Sequence, residues 1–258
     1  MRIFAVGGLI SYRALFNWMT PAIYLPSLVF APIFQILLMS YIGRSAGLAS
    51  DEFFVVGNAI QYAAVPCLFA MTQLVGGEKY QQTLGAILIS PAPRLPLFFG
   101  RAVPVVVNGA FVAAVALLAG SLILGVRIPA SAIPALALVV LVAAFSCTGL
   151  GLITAALALR IRENAILTNV LFGFLLIFTG ANIPLDELPD WMHAVSQVIP
   201  FTNSIEAARE LVDGESLGSV LDLVGTELVI GVAYLLAGYG LLRFFEGQGR
   251  RHATLDRA

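Results

Sequence analysis

Six long apolar runs constrain this chain more than any other feature of its sequence. A helix needs roughly 20 apolar residues to cross about 30 Å of hydrocarbon, and six segments reach that length almost without charge. We predict six transmembrane helices: Pro21–Gly43, Phe53–Val75, Val103–Gly125, Ile133–Leu159, Ala165–Pro184 and Leu223–Phe245. Strands of a membrane barrel would alternate apolar and polar residues. These runs are apolar on every face, so the predicted fold class is an all-α membrane protein.

The composition favours a membrane location over a soluble one. Of the 258 residues, 59% are hydrophobic and 11% are charged, against about 25% charged in a soluble domain. The net charge of −1 gives no general attraction to nucleic acid. The apolar start of the chain carries no small-residue cleavage site, so we expect no removable signal peptide.

The distribution of basic residues predicts how the helices are oriented. Six spans place both termini on one side of the membrane, and cytoplasmic loops carry an excess of lysine and arginine. If the termini are cytoplasmic, 11 of the 14 basic residues fall on the inside. The three on the outside are Arg44, Arg127 and Arg209. We therefore expect both termini in the cytoplasm.

Two segments on the predicted cytoplasmic side have the pattern of docking elements. Residues 1–20 have polar and apolar faces at helical spacing, with Trp18 on the apolar face, which predicts a helix lying in the membrane interface. A ragged start to the first span is the alternative. The loop 76–101 repeats Leu84 and Leu88 at helical spacing among polar residues. It predicts a short amphipathic helix that could bind a partner, rather than a structureless connector.

The external stretch 181–222 precedes the last predicted span. Three prolines divide it into short pieces: Pro184, Pro189 and Pro200. Asn203 followed by Glu206 predicts a capping box at the start of a helix, and Trp191 belongs to an apolar face. We expect a pair of short helices that dips back toward the outer leaflet. Non-helical backbone at that depth must be buried in protein or line a wet cavity, so this pair would cover the outer end of a pathway.

The residues needed for catalysis or metal binding are not grouped in this sequence. Lys79 is the one lysine and is followed by Tyr80, whereas a P-loop requires lysine followed by serine or threonine. Cys67 and Cys147 match no metal or redox spacing and read as small buried hydrophobic residues. We predict no catalytic residue, cofactor or metal in this chain.

Ionisable residues inside spans mark ion or proton routes, and the predicted spans contain almost none. Glu227, near the outer end of the last span, is the nearest candidate. A contact with the interface or with a neighbouring backbone group explains it better than a proton relay does. Energy for any active transport would then come from a partner subunit. The uncharged polar residues of the spans serve mainly as interhelical hydrogen bonds, with a minority lining a pathway.

This organisation resembles the membrane subunits of ABC-2 type transporters, which include drug-resistance permeases and exporters of lipid-linked glycans. The resemblance covers the whole chain, 1–258, as a single transmembrane domain. Two motifs carry it, one in the inner loop and one before the last span. Their residues are Glu78, Thr83, Leu84, Ser90 and Pro91, then Ile183, Pro184, Leu188, Pro189, Trp191, Pro200, Thr202, Glu206 and Arg209.

The resemblance implies the permease subunit of an ATP-binding cassette exporter in a bacterial plasma membrane. It would move an amphipathic small molecule, such as an antibiotic, or a lipid-linked substrate out of the cytoplasm. A separate ATPase holding ATP and Mg²⁺ would dock beneath it, and two membrane subunits, identical or paralogous, would pair. The positions implied for ATPase coupling are Glu78, Lys79, Gln82, Thr83, Leu84, Arg160 and Arg162. The positions implied for an extracellular gate are Pro184, Trp191, Pro200, Glu206 and Arg209.

Other interpretations stay open at this point. The turn containing Arg160 and Arg162 is equally explained as a positive-inside anchor. The chain could also serve a lipid-linked glycan or polysaccharide exporter, although we expect no added sugar-binding domain. A membrane-embedded enzyme acting on lipids and a scaffold without transport are the two remaining classes.

Overall fold

A computed structural model of the chain describes residues 25–73, 94–161 and 164–252. Within these ranges the chain is helical and contains no strand. Two 3-10 turns, Ala130–Ala132 and Leu185–Glu187, lie between helices. The helices are α1 Leu25–Ala46, α2 Asp51–Gln73, α3 Arg94–Leu124, α4 Ile133–Ala158, α5 Asn164–Phe178, α6 Asp190–Ser196, α7 Thr202–Val212 and α8 Leu221–His252.

In the described ranges, five helices are long and apolar enough to cross a membrane. They are Leu25–Ala46, Asp51–Gln73, Ala102–Leu124, Ala130–Ala158 and Leu221–Phe245, and they confirm five of the six predicted spans. α5 has only 15 residues, fewer than the roughly 20 that a span needs, so a sixth span is not confirmed. The chain turns soon after Phe178, where Gly180 has φ 75°. Glycine enters this left-handed region at no steric cost.

The start of α2 is fixed by a short turn after α1. α1 is followed by the capping residue Gly47, whose φ of 66° is again left-handed. Ser50 caps α2 by accepting a hydrogen bond from the Phe53 backbone N–H at 3.3 Å. Arg44 and Asp51 form an ion pair across the turn. These contacts fix the position of the first turn of α2, which forms one side of the site described below.

α2 contains a wide π-helical turn at Val65–Phe69. Pro66 lies in this turn and supplies no backbone N–H, which is a usual cause of irregular helix geometry. The turn brings the Cys67 thiol to 3.5 Å from the backbone oxygen of Ala144 in α4. Cys67 and Cys147 are both buried and free of disulfides, which confirms their prediction as small buried residues.

α4 and α8 run in the same direction and make the most extensive helix–helix contact in the described residues. Glycines allow their backbones to approach. A Cβ at Gly149 would lie 2.7 Å from the backbone oxygen of Gly231, and a Cβ at Gly238 would lie 2.9 Å from the Ile153 nitrogen. Small residues at contact points are typical of helix packing in membranes. The two helices therefore form a closely packed pair.

Gly231→Ala is expected to destabilise this pair by about 1–3 kcal/mol, the usual range for overpacking. The added Cβ would lie 2.8 Å from the Ser146 Cα, and backbone atoms cannot move aside cheaply. Gly240→Ala is the matched control on the same helix, because nothing lies within 4 Å of its added Cβ. Thermal unfolding of the purified protein in detergent measures both variants. Equal unfolding temperatures would contradict the close approach of α4 and α8.

Two predicted segments fall mainly outside the described residues. The interfacial helix 1–20 does so entirely, and the loop 76–101 does so up to residue 93. From Arg94 onward, the last part of that loop belongs to α3. Pro96 stands in the first turn of α3, where a missing N–H removes no helix hydrogen bond.

Candidate functional site

α6 and α7, with the linker between them, cover one end of the helix bundle; we call residues 190–212 the lid. α7 packs against α2, α4 and α8, and α6 packs against α5. α7 buries Ile205, Ala208 and Leu211 at helical spacing and exposes Glu206 on its other side. The predicted pair of short helices is therefore present, and its re-entry into the membrane stays a prediction.

Glu227 of α8 contacts the lid from inside the bundle. Its side chain is fully buried, and its Oε1 accepts a hydrogen bond from the Phe201 backbone N–H at 2.9 Å. Ser146, Asn203 and the Ser204 backbone also lie beside this carboxylate. A buried carboxylate requires donors to replace water, and the lid backbone provides one. This contact confirms that Glu227 reaches a neighbouring backbone group.

Phe201 has an unusual backbone conformation. Its φ is 80°, the one positive value among the non-glycine residues described, in a region that bulky side chains rarely enter. α7 starts directly after it at Thr202, and no side chain caps the helix. The predicted capping box of Asn203 and Glu206 is therefore wrong. Asn203 lies inside the first turn because Phe201, with its N–H bonded to Glu227, occupies the capping position.

Tyr234 provides a second contact between α8 and the lid. Its hydroxyl donates to the backbone oxygen of Val198 at 3.2 Å. Tyr234 lies seven positions after Glu227, which places both side chains on one face of α8. Together they hold the linker 197–201 at two points, one accepting from the backbone and the other donating to it.

Arg209 of α7 connects the lid to two other elements. Its Nη2 donates to the backbone oxygen of Phe53 in α2 at 3.1 Å and to that of Gly180, just after α5, at 2.9 Å. Its Cζ lies 3.6 Å from the centroid of the Phe53 ring, a cation–π contact. One guanidinium therefore joins the lid, α2 and the end of α5.

The charge of Arg209 is not neutralised by an ion pair in the described part of the chain. Burial lowers the pKa of Arg209 to about 10, with a smaller opposing effect from Glu206. This pKa lies above neutral pH, so the guanidinium stays cationic. The group fits because residue 57 is glycine: a Cβ there would lie 2.7 Å from the Arg209 Nη2 and 2.8 Å from the Ala181 backbone oxygen.

Amide side chains line α2 beneath the lid. Gln61 is fully buried, and its Oε1 accepts from the Asn182 Nδ2 at 3.4 Å. One turn earlier, Asn58 accepts from the Gln35 Nε2 of α1 at 3.0 Å. Asn58 and Gln61 thus form an uncharged polar strip inside the bundle that runs toward Arg209.

Many polar atoms in and beneath the lid lack a hydrogen-bond partner. In the described ranges, eleven buried side-chain nitrogen and oxygen atoms have none. Eight of these lie in this region. Three of them, Ser146 Oγ, Asn203 Nδ2 and Glu227 Oε2, are neighbours around one carboxylate. The other five are Gln61 Nε2, Asn182 Oδ1, Thr202 Oγ1, Ser204 Oγ and Arg209 Nε. Buried polar groups are normally hydrogen-bonded, so this concentration distinguishes the region from the rest of the bundle.

Carboxylates gather on the outer side of the lid and at its end. Partial burial raises the pKa of Glu210, and the neighbouring Glu206, Glu215 and Asp213 carboxylates raise it further. Over residues 25–73, 94–161 and 164–252, no three histidine, cysteine or acidic residues could hold a metal ion. The cluster gives the lid a negative rim.

Comparison with known proteins identifies the class. A family model described as "ABC-2 type transporter" matches residues 7–212, more than half of the chain. The chain belongs to the ABC-2 type transporter family. Membership in this family, together with the long apolar helices, makes the chain an integral membrane protein of the ABC-2 type.

Two related proteins are named "Probable multidrug ABC transporter permease YbhR", one from Escherichia coli strain K12 and one from Escherichia coli O157:H7. Each is 25% identical to this ABC-2 chain over 195 residues, which is 74% of the chain. That alignment covers 52% of each relative, so the chain spans about half the length of the relatives it matches.

The gate residues predicted for this ABC-2 transporter lie in different environments. Trp191 is 64% exposed and makes an edge contact with the Phe178 ring at 6.2 Å between centroids. Pro200 is buried directly before Phe201, whereas Glu206 is exposed. Pro184 precedes the 3-10 turn between α5 and the lid. Of the five, Arg209 makes the most contacts with the other elements.

The residues predicted for ATPase coupling are described only in part. Glu78, Lys79, Gln82, Thr83, Leu84 and Arg162 lie outside the described residues. Arg160 is exposed after α4, and its Cζ lies 5.2 Å from the centroid of the Phe245 ring in α8. This contact connects the turn after α4 to the C-terminal part of α8.

A threonine cluster joins three helices of this ABC-2 chain near that turn. The Oγ1 atoms of Thr72 in α2 and Thr154 in α4 are 2.6 Å apart, and the Oγ1 of Thr168 in α5 donates to Thr72 at 3.4 Å. All three side chains are buried. They confirm the prediction of interhelical hydrogen bonds between polar residues of the spans.

Sequence reasoning missed several residues of the site. The sequence predicts a backbone contact for Glu227 but not its contact with the lid, and no pattern in it points to Phe201, Tyr234 or Gly57. One signal was available for Glu227, since a carboxylate inside an apolar span marks a functional position by default. Gly57 carried no comparable signal, because its role depends on an arginine 152 positions later.

Proposed function

We propose that this chain is the permease subunit of an ATP-binding cassette exporter. It moves an amphipathic small molecule or a lipid-linked substrate out of the cytoplasm of a bacterium, and a separate ATPase subunit provides the energy. The name of the related proteins, multidrug ABC transporter permeases, supports the small amphipathic molecule as the first substrate class to test.

One observation carries this proposal: the unpaired polar atoms concentrated in and beneath the lid. The lid packs against the bundle while several buried donors and acceptors make no hydrogen bond, and other contacts must offset that cost. These donors and acceptors can be satisfied in a second arrangement of the lid, as in a two-state switch. In that arrangement the lid moves away from the bundle and the substrate leaves past Gln61 and Asn182. Re-entry of the lid into the outer leaflet belongs to this proposal.

The hydrogen bond that Glu227 accepts supports ATP, and not an ion gradient, as the energy source. A proton- or sodium-coupled carrier needs ionisable side chains along its route. The carboxylate of Glu227 instead accepts a backbone hydrogen bond from the lid. The partner ATPase, holding ATP and Mg²⁺, docks on the loop 76–101 and on the turn at Arg160 and Arg162. Both termini are then cytoplasmic.

A second membrane subunit, identical or paralogous, completes the pathway. α5 supports this part of the proposal, because this short helix has large apolar side chains that are mostly exposed. Ile166 and Val170 are 62% and 63% exposed, and Asn169 beside them is exposed and polar. A face of this composition suits a protein partner that also borders a polar route.

Inside-out membrane vesicles containing the chain and its co-purifying ATPase test the proposed function. We expect ATP-dependent accumulation of a fluorescent amphipathic cation such as rhodamine 6G. An ATPase with its P-loop lysine replaced is the control and should abolish accumulation. Accumulation that needs no ATP and collapses when a protonophore is added would overturn the ATP-driven mechanism.

A further inference from the structure

The threonine cluster joins α2, α4 and α5 at the end of the bundle away from the lid. Thr72 lies in the last turn of α2, Thr154 near the end of α4 and Thr168 in the second turn of α5. Phe53, at the other end of α2, contacts the lid. Besides its contacts within the cluster, each threonine hydroxyl lies close to a backbone oxygen of its own helix. These oxygens belong to Leu68, Gly151 and Asn164, at 2.8, 2.7 and 2.9 Å.

The cluster has fewer hydrogens than close contacts. Its three hydroxyls make five contacts, but a hydroxyl has one hydrogen to donate. The Thr72 and Thr154 oxygens are 2.6 Å apart, a distance at which a hydrogen must lie between them. One of these two hydroxyls then turns away from the backbone oxygen of its own helix. The cluster therefore has two arrangements with three hydrogen bonds each, one that joins the helices and one that stays within them.

The second arrangement allows the helices to separate at this end. Breaking an ordinary hydrogen bond between two helices leaves a buried donor unpaired, which is costly. Here each hydroxyl can donate to a backbone oxygen of its own helix instead, so separation leaves none of the three donors unpaired. A contact with two alternative sets of hydrogen bonds has the property needed of a moving part, because both of its states are satisfied.

Of the three helices, α5 is the most weakly held at this end. Over residues 164–174, the buried side chains are Asn164 and Thr168 alone, and the buried Asn164 Oδ1 has no hydrogen-bond partner. The contact of Thr168 with the cluster, at 3.4 Å, is the longest of the five. The other end of α5 is fixed by Leu175 and Phe178, which belong to the hydrophobic core. The first half of α5 is therefore the part that can move.

We propose that the first half of α5 moves away from α2 and α4, and that the threonine cluster is the contact that opens and closes. In the closed form, hydrogen bonds join Thr72 to Thr154 and to Thr168. In the open form, each hydroxyl donates within its own helix, while the last turn of α5 stays packed and acts as the pivot. The movement opens the bundle at the end opposite the lid. Its use as an entrance for substrate rests on the proposed function, whereas the movement itself does not.

Double electron–electron resonance on the purified full chain tests this movement. Nitroxides are attached at Gln73→Cys and Ala165→Cys, since both positions are exposed, whereas the native Cys67 and Cys147 are buried. We expect two distances between the labels, a short one for the closed form and a long one for the open form. Thr72→Val preserves the shape of the side chain and removes the hydrogen bonds between the helices. It should raise the ratio of the long to the short distance about two- to tenfold, the effect of one hydrogen bond. Thr72→Ser keeps the hydroxyl and should restore the ratio.

Thr148→Val is the matched control, because Thr148 is buried in α4 and its hydroxyl donates to the Ala144 oxygen of the same helix. It should leave the ratio of the two distances unchanged. Thr154→Val should add nothing to Thr72→Val, since both remove the same contact. A single distance that is the same in every variant, with a lower unfolding temperature in Thr72→Val, would show that the cluster only stabilises the bundle and would overturn the proposal. The measurement needs neither the ATPase nor a substrate, so a failure of the proposed function would not affect its result.

Discussion

Glu227→Leu is expected to release the lid from α8. The substitution removes the acceptor of the Phe201 N–H, and an unsatisfied buried N–H costs about 1–3 kcal/mol. The left-handed conformation of Phe201 adds about 1–3 kcal/mol of strain, which persists only while its surroundings enforce it. With the hydrogen bond lost, the linker 197–201 can relax, and α7 loses its fixed start.

A cysteine at a buried lid position measures this release. Ala207 is fully buried, and both native cysteines are buried as well, so Ala207→Cys reports on the lid against a low background. We expect its modification by a maleimide to accelerate about tenfold in Glu227→Leu, which corresponds to about 1.4 kcal/mol.

Glu227→Gln separates the lid contact from a proton relay. Glutamine keeps the Oε1 acceptor and has nearly the same shape, so the maleimide reaction should stay slow and transport should continue. A proton relay would lose its function in Glu227→Gln as completely as in Glu227→Leu. Transport abolished by Glu227→Gln with the lid still closed would contradict the role given to Glu227 here.

The sequence predicted the spans well because their signal is local. Apolar length alone located five of them, and the span ends that lie inside the described ranges, at Ala46, Asp51, Leu124, Ala130, Ala158 and Leu221, fall within about three residues of the prediction. The exception is the run 165–184, which is apolar beyond the end of its helix. Hydropathy continues through Thr179 and Ala181, but the left-handed turn at Gly180 ends α5. Average apolarity cannot detect a backbone angle.

The lid could be placed from sequence, but its contacts could not. Prolines and an amphipathic pattern located the two short helices, and the resemblance to ABC-2 transporters implies a gate position at Arg209. The contacts join residues far apart in the chain: Phe201 and Glu227 are 26 positions apart, and Phe53 and Arg209 are 156 apart. Periodicity and capping rules describe neighbours within a few turns. The incorrect capping box at Asn203 arose in the same way, because the distant Glu227 carboxylate fixes Phe201, two residues earlier, as the residue before α7.

Arg209→Met is expected to open the lid on its other side and to abolish export. Methionine roughly preserves the length of the side chain but removes both hydrogen bonds, which are worth about 1.5–3 kcal/mol when one group is charged. The Gly180 carbonyl loses a donor, and the cation–π contact with Phe53 is lost. Removal of a buried charge offsets part of this effect, so we expect the protein to fold while the lid is held less firmly.

Arg209→Lys should restore little of the lost contact. An ammonium can donate to a carbonyl, but it cannot place a planar face on the Phe53 ring while bonding two backbone oxygens. The Ala207→Cys reaction and ATP-dependent accumulation of rhodamine 6G measure the two consequences separately. Glu215→Gln is the matched control, since Glu215 is an exposed carboxylate shortly after the end of α7. It should leave both measurements unchanged.

Gly57→Ala tests whether Arg209 acts through this particular geometry. In the unmodified chain its Cβ would meet both the Arg209 Nη2 at 2.7 Å and the Ala181 backbone oxygen at 2.8 Å, so the lid should be displaced. In the Arg209→Met background the first clash disappears and only the second remains. The effect of Gly57→Ala on the maleimide rate should therefore be smaller there, since contacting residues are not additive. Fully additive effects would show that Arg209 does not hold the lid against α2.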